Sequence, residues 1–153
     1  MTLTLDANAL LIVVLGYMDP HIIEHHKRTS IYQAEDFNTL LELIQRSEEV
    51  LILPNVWTEV DNLLNNFRGE RKYRYYLAVK TLIQSTSEVY LPTEQSLEPM
   101  DRHFNLGIAD SLLLTLALRR ETLLITGDSR LSDYAKTLGI RVFDVVENRN
   151  ARL

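Results

Sequence analysis

The chain has 153 residues, a length that fits one domain of ordinary size. Hydrophobic residues make up 46% of it, which is enough to build a core, and it contains no cysteine. That composition excludes a disulfide framework, a thiolate metal site and a cysteine nucleophile. The net charge of −5 argues against a passive nucleic-acid binder, but not against an enzyme whose acidic residues surround metal ions.

The N-terminal residues show no targeting pattern. Met1–Asp6 has no basic residue, and the apolar run Ala9–Leu15 ends at Gly16, so we expect a strand and a helix rather than a signal peptide. Apolar runs in the sequence are all shorter than the ~20 residues of a membrane-spanning helix. We therefore predict a cytoplasmic protein.

Short β-rich runs alternate with helical stretches, and there is no internal repeat or linker. In chain order we predict strand Leu3–Leu5, helix Ala7–Tyr17, loop His21–Ile31, helix Gln33–Arg46, strand Val50–Leu53, helix Asn55–Phe67, helix Glu70–Ser85, strand Glu88–Leu91, a short helical piece within Thr93–Phe104, helix Gly107–Arg120, strand Leu123–Thr126, helix Ser129–Leu138 and strand Arg141–Asp144. This alternation predicts an α/β fold with a parallel sheet covered by helices on both faces. One domain over residues 1–147 is followed by a short tail, 148–153.

Four acidic residues lie where the carboxyl ends of the strands are expected. Asp6 directly follows the first strand, and Asp128 follows the fourth. Glu59 lies in the first turns of the helix after the second strand, and Asp110 near the start of the helix before the fourth. In open parallel sheets, ligands bind outside the carboxyl ends of the strands. All four acids therefore fall on one predicted edge.

Helical periodicity places Asp110 on the apolar face of its helix, with Leu113, Leu114 and Ala117. Glu59 lies only at the border of such a face. A buried carboxylate is costly unless paired, and like charges ~4 Å apart repel by roughly 4 kcal/mol at an intermediate dielectric. Basic residues are not placed beside the acids in sufficient number to neutralise them all. The pattern therefore predicts Mg²⁺ or Mn²⁺, which prefer oxygen ligands.

Each acid also has an ordinary role when it is considered alone. Asp6 and Asp110 are candidate helix N-caps, Asp128 is a candidate turn residue, and Glu59 is a candidate surface acid. The metal-site interpretation depends on their joint placement.

Four short runs, in this order, resemble the PIN-domain nucleases over nearly the whole chain: Leu5–Leu10, Val56–Val60, Gly107–Leu112 and Leu124–Asp128. The resemblance implies a three-layer α/β/α sandwich around a parallel, roughly five-stranded sheet. It also implies Mg²⁺- or Mn²⁺-dependent cleavage of single-stranded or structured RNA. By this resemblance Asp6, Glu59, Asp110 and Asp128 are the catalytic metal ligands, and Asn8 and Thr126 are supporting polar residues.

Many small members of this family are toxins of VapBC-type toxin–antitoxin pairs. The resemblance thus implies an endoribonuclease with an antitoxin partner and a homodimeric state. The interval between Asp6 and Glu59 is longer than we expect for the small toxins, with His21–Ser30 as the excess. The main alternative is a non-catalytic PIN-like module that binds RNA or protein, although such a module would usually have lost one of the acids.

Two other folds that place an Asp after the first strand agree less well with the sequence. A phosphatase of the haloacid dehalogenase type needs a second Asp where this chain has Asn8, and a receiver domain needs an acidic pair where Asp6 stands alone.

Basic and aromatic residues alternate around the start of the helix Glu70–Ser85. We consider Arg68, Arg71, Lys72 and Arg74 as substrate-binding residues, because such a strip can hold phosphates and stack bases. The alternative, which we prefer, is a solvated helix face whose tyrosines pack inward. The run His25–Arg28 is either an RNA contact or a charged loop, and His103 is expected to be structural.

Overall fold

The centre of the fold is a parallel β-sheet. The computed structural model describes residues 1–152, and within them the sheet has five strands. They are β1 Thr2–Leu5, β2 Glu49–Ile52, β3 Ser87–Glu88, β4 Leu123–Thr126 and β5 Val142–Asp144. The spatial order is β3-β2-β1-β4-β5, and each neighbouring pair is parallel. The predicted parallel α/β fold is therefore confirmed.

Helices flank the sheet and give a three-layer α/β/α sandwich. They are α1 Ala7–Met18, α2 Ile22–His25, α3 Ala34–Arg46, α4 Pro54–Leu64, α5 Glu70–Ser85, α6 Met100–Arg120, α7 Ser129–Thr137 and α8 Val145–Arg152, with a 3₁₀ turn at Thr93–Ser96. None of the helices in residues 1–152 is both long enough and apolar enough to cross a bilayer.

Helix α1 is apolar on all sides, and it is buried nearly throughout. A helix with no polar face can only be stable inside the protein, so α1 contacts α3, α4 and α5 as well as the sheet. Gly16 lies where α3 crosses most closely. A Cβ atom there would lie 2.0 Å from the Phe37 ring, so this position requires glycine.

The order of the strands determines where a ligand site can form. From the central strand β1, the sheet extends through β2 to β3 on one side and through β4 to β5 on the other. The helices that follow β1 and β4 therefore leave the same edge from adjacent strands. This is the topological switch point, where open α/β sheets form their crevice.

The structure differs from the sequence prediction in the segment His21–Ile31. That segment was predicted to be a loop, but it contains the single-turn helix α2, whose Ile22 and Ile23 side chains are buried. The Thr29 hydroxyl donates a hydrogen bond to the carbonyl oxygen of Ile23 at 2.7 Å. A single helical turn is too short to show a helical period, so the sequence pattern could not reveal it.

Two further differences lie near prolines and at the end of the chain. The helix predicted from Gly107 begins at Met100, after Pro99, and Gly107 interrupts it with φ 82°. Residues 148–152, predicted to be a tail, lie within α8, and Leu153 is outside the described residues. Arg152 binds the buried Asp36 carboxylate of α3 at 2.8 Å, which explains why this last helix packs on the domain.

Candidate functional site

Asp6 and Asp128 lie at the carboxyl ends of the adjacent strands β1 and β4, and each is the N-cap of the helix that follows. The Asp6 carboxylate accepts the backbone N–H of Ala9 at 2.8 Å. Asp128 accepts those of Arg130 and Leu131 at 2.9 and 3.4 Å. The capping role considered for Asp6 is thus confirmed, and Asp128, which was considered as a turn residue, is also a helix cap.

Thr126, the last residue of β4, links these two acids. Its buried hydroxyl donates a hydrogen bond to the second carboxylate oxygen of Asp6 and accepts the backbone N–H of Asp128 at 2.9 Å. Since a hydroxyl has one donor and two acceptor sites, this arrangement fixes the direction of its proton toward Asp6. Thr126 therefore orients the Asp6 carboxylate from one side while Ala9 orients it from the other.

Asp110 lies on α6 beyond the break at Gly107, inside the helix rather than at its N-cap. Burial, followed by the charges of Asp6, Asp128 and Glu59, raises the pKa of its carboxyl to about 7. Burial and, to a smaller extent, the charge of Asp128 raise the pKa of Asp6, the hydrogen bonds from Thr126 and Ala9 lower it, and the net result is about 6. The four acids predicted from sequence thus act on one another electrostatically at one edge of the sheet.

The four acids differ in their access to solvent. Asp6 is 3% exposed, Asp110 and Asp128 are half-buried, and Glu59 on α4 is exposed. The acids therefore range from an almost fully enclosed carboxylate, Asp6, to a solvent-exposed one, Glu59. Within residues 1–152, no Lys, Arg or His side chain forms a salt bridge with any of them.

These acids do not form a completed coordination sphere. In the part of the chain that the structure describes, no group of three or more His, Asp or Glu side chains is close enough to hold a metal ion. The donor chemistry nevertheless fits a hard cation, since the ligands would be four carboxylates with no counter-charge.

Tyr32 and Asp144 lie near the same edge and were not among the predicted site residues. The Tyr32 hydroxyl donates to the Gly127 carbonyl oxygen at 3.2 Å, and burial, then Asp6 and Asp144, raise its pKa to about 12. Asp144 is buried and ends β5. The strand-end rule that selected Asp6 would have selected Asp144, whereas Tyr32 follows a segment without any period.

Asn8 is half-buried, and it lies beside Gly127. If a Cβ atom were added to Gly127, it would lie only 3.1 Å from the Cβ atom of Asn8. The same added atom would lie 2.1 Å from the Tyr32 hydroxyl, so glycine is required between these two side chains. Among the described residues, the Asn8 amide has no hydrogen-bond partner, so its predicted supporting role stays a prediction.

The basic residues considered for substrate binding are all exposed, but they are not equivalent. Arg74 pairs with Glu70 at 3.1 Å, whereas Arg68, Arg71 and Lys72 have no ion-pair partner within residues 1–152. The preferred alternative, tyrosines that pack inward, is only partly right. Tyr75 is buried, with its hydroxyl donating to Asp61 at 2.6 Å, but Tyr73 and Tyr76 are 62% and 58% exposed.

No family model and no curated protein matches the chain. Among solved structures, the chain is similar to a domain of a functionally unknown protein from Methanocaldococcus jannaschii DSM 2661. The two share 17% sequence identity with a TM-score of 0.49, over 94% of this chain and 89% of that one. The interpretation of the site therefore depends on its residues and not on this likeness.

The hydrogen bonds of Thr126 give the first testable prediction. Thr126→Val removes the hydroxyl but keeps the shape, and it leaves a buried carboxylate with one donor fewer, so we expect a loss of about 1–3 kcal/mol in the free energy of unfolding. Thr4→Val is the matched control, because Thr4 is equally buried and its hydroxyl has no partner among the described residues. Urea denaturation measures both. Equal effects of the two substitutions would contradict the role of Thr126.

The second prediction concerns the raised pKa of Asp110. The folded protein keeps the Asp110 proton up to about pH 7, whereas the unfolded chain loses it near the ordinary value of 3.8. Ionisation is therefore harder in the folded state, and the stability of the wild type falls as pH rises between these values. In a chelating buffer we expect Asp110→Asn to be more stable than wild type by about 1–3 kcal/mol at pH 8, and by little at pH 4.

Chemical denaturation across this pH range measures the difference between wild type and variant. The matched control is Asp133→Asn, an exposed acid on α7. If wild type and Asp110→Asn differ in stability by the same amount at pH 4 and at pH 8, the pKa of Asp110 is not raised in the folded protein.

Proposed function

We propose that this protein is a metal-dependent ribonuclease that hydrolyses phosphodiester bonds with a PIN-like acidic site. The observation that carries the proposal is the environment of Asp110. Its pKa is raised to about 7 by burial and by the charges of Asp6, Asp128 and Glu59, and no basic side chain in residues 1–152 relieves that repulsion. A divalent cation is the ordinary way for a protein to retain such a cluster.

In this proposal Asp6 and Asp110 hold the main ion, and Glu59 and Asp128 complete the site. When bound, Mg²⁺ or Mn²⁺ would lower the pKa of a water molecule and offset charge on the attacking and leaving oxygens. The protein contributes position, because Thr126 and the Ala9 amide fix the Asp6 carboxylate, and Glu59 would complete the site from the solvent-exposed side.

The toxin role, the antitoxin partner and the homodimer follow only from the resemblance to the PIN-domain nucleases. They stay predictions, as does the choice of RNA as substrate. The cytoplasmic location, which was predicted from the N-terminal residues, also stays a prediction.

One observation favours a second candidate function, a non-catalytic PIN-like module that binds RNA or protein. Across the described residues, no three metal-binding side chains are arranged to hold an ion. A module that had lost its chemistry but kept its acids would give the same result.

A cleavage assay separates the two candidates and is the third prediction. Labelled RNA is incubated with the wild type in Mn²⁺ or in chelator, and we expect cleavage only with Mn²⁺. Asp110→Asn should lower the rate by more than about 100-fold, because losing even an outer-shell partner of a metal costs about 10- to 100-fold. Asp6→Asn should behave like Asp110→Asn, and Asp133→Asn is the control for charge.

Circular dichroism shows whether each variant is folded. Full cleavage by a folded Asp110→Asn variant would overturn the proposed mechanism. A folded wild type that binds RNA but never cleaves it in Mn²⁺ would favour the non-catalytic module.

A further inference from the structure

A cleft of about 260 Å³ lies between the segment that contains α2 and the start of α5, and the acidic site does not include it. Its lining comes from two stretches that are far apart in the sequence. Histidines and an acid come from the first stretch, and an aromatic and a basic side chain come from the second: Asp19, His21, His25, His26, Phe67 and Arg71. The volume is below the ~300–1,000 Å³ of pockets for drug-sized ligands, so the cleft has room for one nucleotide of a longer strand and not for a larger ligand.

Aromatic contacts hold the two stretches together. The rings of His26 and Phe67 have centroids 5.9 Å apart with planes tilted by 51°, and Phe67 also contacts Tyr75 at 5.9 Å. Phe67 is half-buried, so part of its ring remains accessible beside the cleft. An aromatic ring fixed on two sides is a stacking surface that loses little conformational entropy when a base binds to it.

His26 is a neutral hydrogen-bond donor in this cleft. Burial lowers the pKa of its imidazole, and Lys27 and Arg28 lower it further. Its Nδ1 atom accepts the backbone N–H of Arg28 at 3.1 Å, so the ring proton of the neutral form lies on Nε2.

The two stretches that supply the cleft lining carry a net charge opposite to that of the whole chain. Residues 19–28 and 67–74 contain six basic and three acidic residues, a net charge of +3, whereas the chain carries −5. Five of the six basic residues have no ion-pair partner within residues 1–152: Lys27, Arg28, Arg68, Arg71 and Lys72. Of these five, Arg71 lines the cleft together with Phe67, and an unpaired cation beside an aromatic ring favours a ligand with phosphates and bases.

A metal ion agrees less well with these side chains. His21 and His25 are four residues apart, a spacing that can chelate a metal on a helix. However, the described side chains include no group of three that could hold an ion, and Arg71 adds a positive charge to the lining.

The α2 segment also connects this cleft to the acidic edge. Tyr32 contacts Gly127 beside Asp6, and it lies six residues after His26. Six residues span at most roughly 20 Å between Cα atoms, even when fully extended. One polynucleotide strand is long enough to reach from one place to the other.

We propose that this cleft binds one nucleotide of a single-stranded nucleic acid, with the base against Phe67 and His26 and the phosphate at Arg71. The choice of RNA and the delivery of the strand to the acidic edge rest on the function proposed above, but the binding itself does not. The cleft would hold substrate without any metal.

Fluorescence anisotropy in chelator tests this fourth prediction, with a labelled single-stranded RNA of mixed sequence as the probe. Arg71→Gln should weaken binding by about 3- to 10-fold and lower the slope of log affinity against log salt by about 0.7, because one phosphate contact is lost. Phe67→Leu keeps an apolar side chain against the core, and it should weaken binding by at least about 5-fold without changing that slope.

Lys80→Gln is the matched control. Lys80 is exposed on the same helix, has no ion-pair partner in the described chain, and lies about 13 Å along the helix from Arg71. It should change the affinity by less than about 2-fold. A DNA probe of the same sequence should rank the variants identically, whether it binds as tightly as RNA or more weakly because the 2′-hydroxyl is absent.

The proposal fails if the wild type does not bind the probe, if Lys80→Gln weakens binding as much as Arg71→Gln, or if anionic lipid vesicles are bound in place of the oligonucleotides. If the binding experiment fails in this way but the protein still cleaves RNA in Mn²⁺, the ribonuclease proposal stands and the nucleotide-binding cleft is wrong. If the variants bind in the predicted order but the protein does not cleave RNA in Mn²⁺, the cleft stands and the ribonuclease proposal is wrong.

Discussion

Electrostatic repulsion at the carboxyl ends of β1 and β4 is the constraint on which the candidate site depends. Asp6 is enclosed there because its strand is central, and the half-buried Asp110 of α6 lies near enough for the charge of Asp6 to raise its pKa. Folding brings the two carboxyls and Asp128 near one another without a basic partner among the described residues. The protein relieves the repulsion by keeping protons on Asp6 and Asp110 to higher pH than usual, or it can relieve it by binding cations.

The rest of the fold holds this edge in place. The apolar helix α1 is anchored on all sides, so the N-cap at Asp6 has a fixed direction. The hydrogen bond from Thr126 connects Asp6 to the end of β4, and the hydrogen bond from Tyr32 to the Gly127 carbonyl oxygen fixes the residue after it. Glu59 lies outside this rigid frame on the exposed face of α4.

The sequence was sufficient for the features that depend on long periodic patterns. The strand Leu123–Thr126 and the helix Glu70–Ser85 have the predicted bounds, and the parallel sheet follows from the alternation of strands and helices. Short or contact-dependent features were not predictable. Helix α2 has a single turn, which is too short to show a period. Helix α8 is held by an ion pair between Arg152 and Asp36, which are far apart in the sequence. Strand β3 has only two residues, each paired with one residue of β2. The sequence predicted that the four acids share an edge, but how closely their carboxylates approach one another depends on tertiary packing, which no spacing rule gives.

The ionisation of the acids themselves is the most direct test of this account. An NMR titration of the side-chain carboxyl carbons in chelator should show Asp110 titrating near pH 7 and Asp6 near pH 6. Added Mg²⁺ should lower both pKa values by more than about one, because a bound cation favours the charged carboxylates. Titration of both residues near the ordinary value of 3.8 in chelator, or no response to Mg²⁺, would contradict the account.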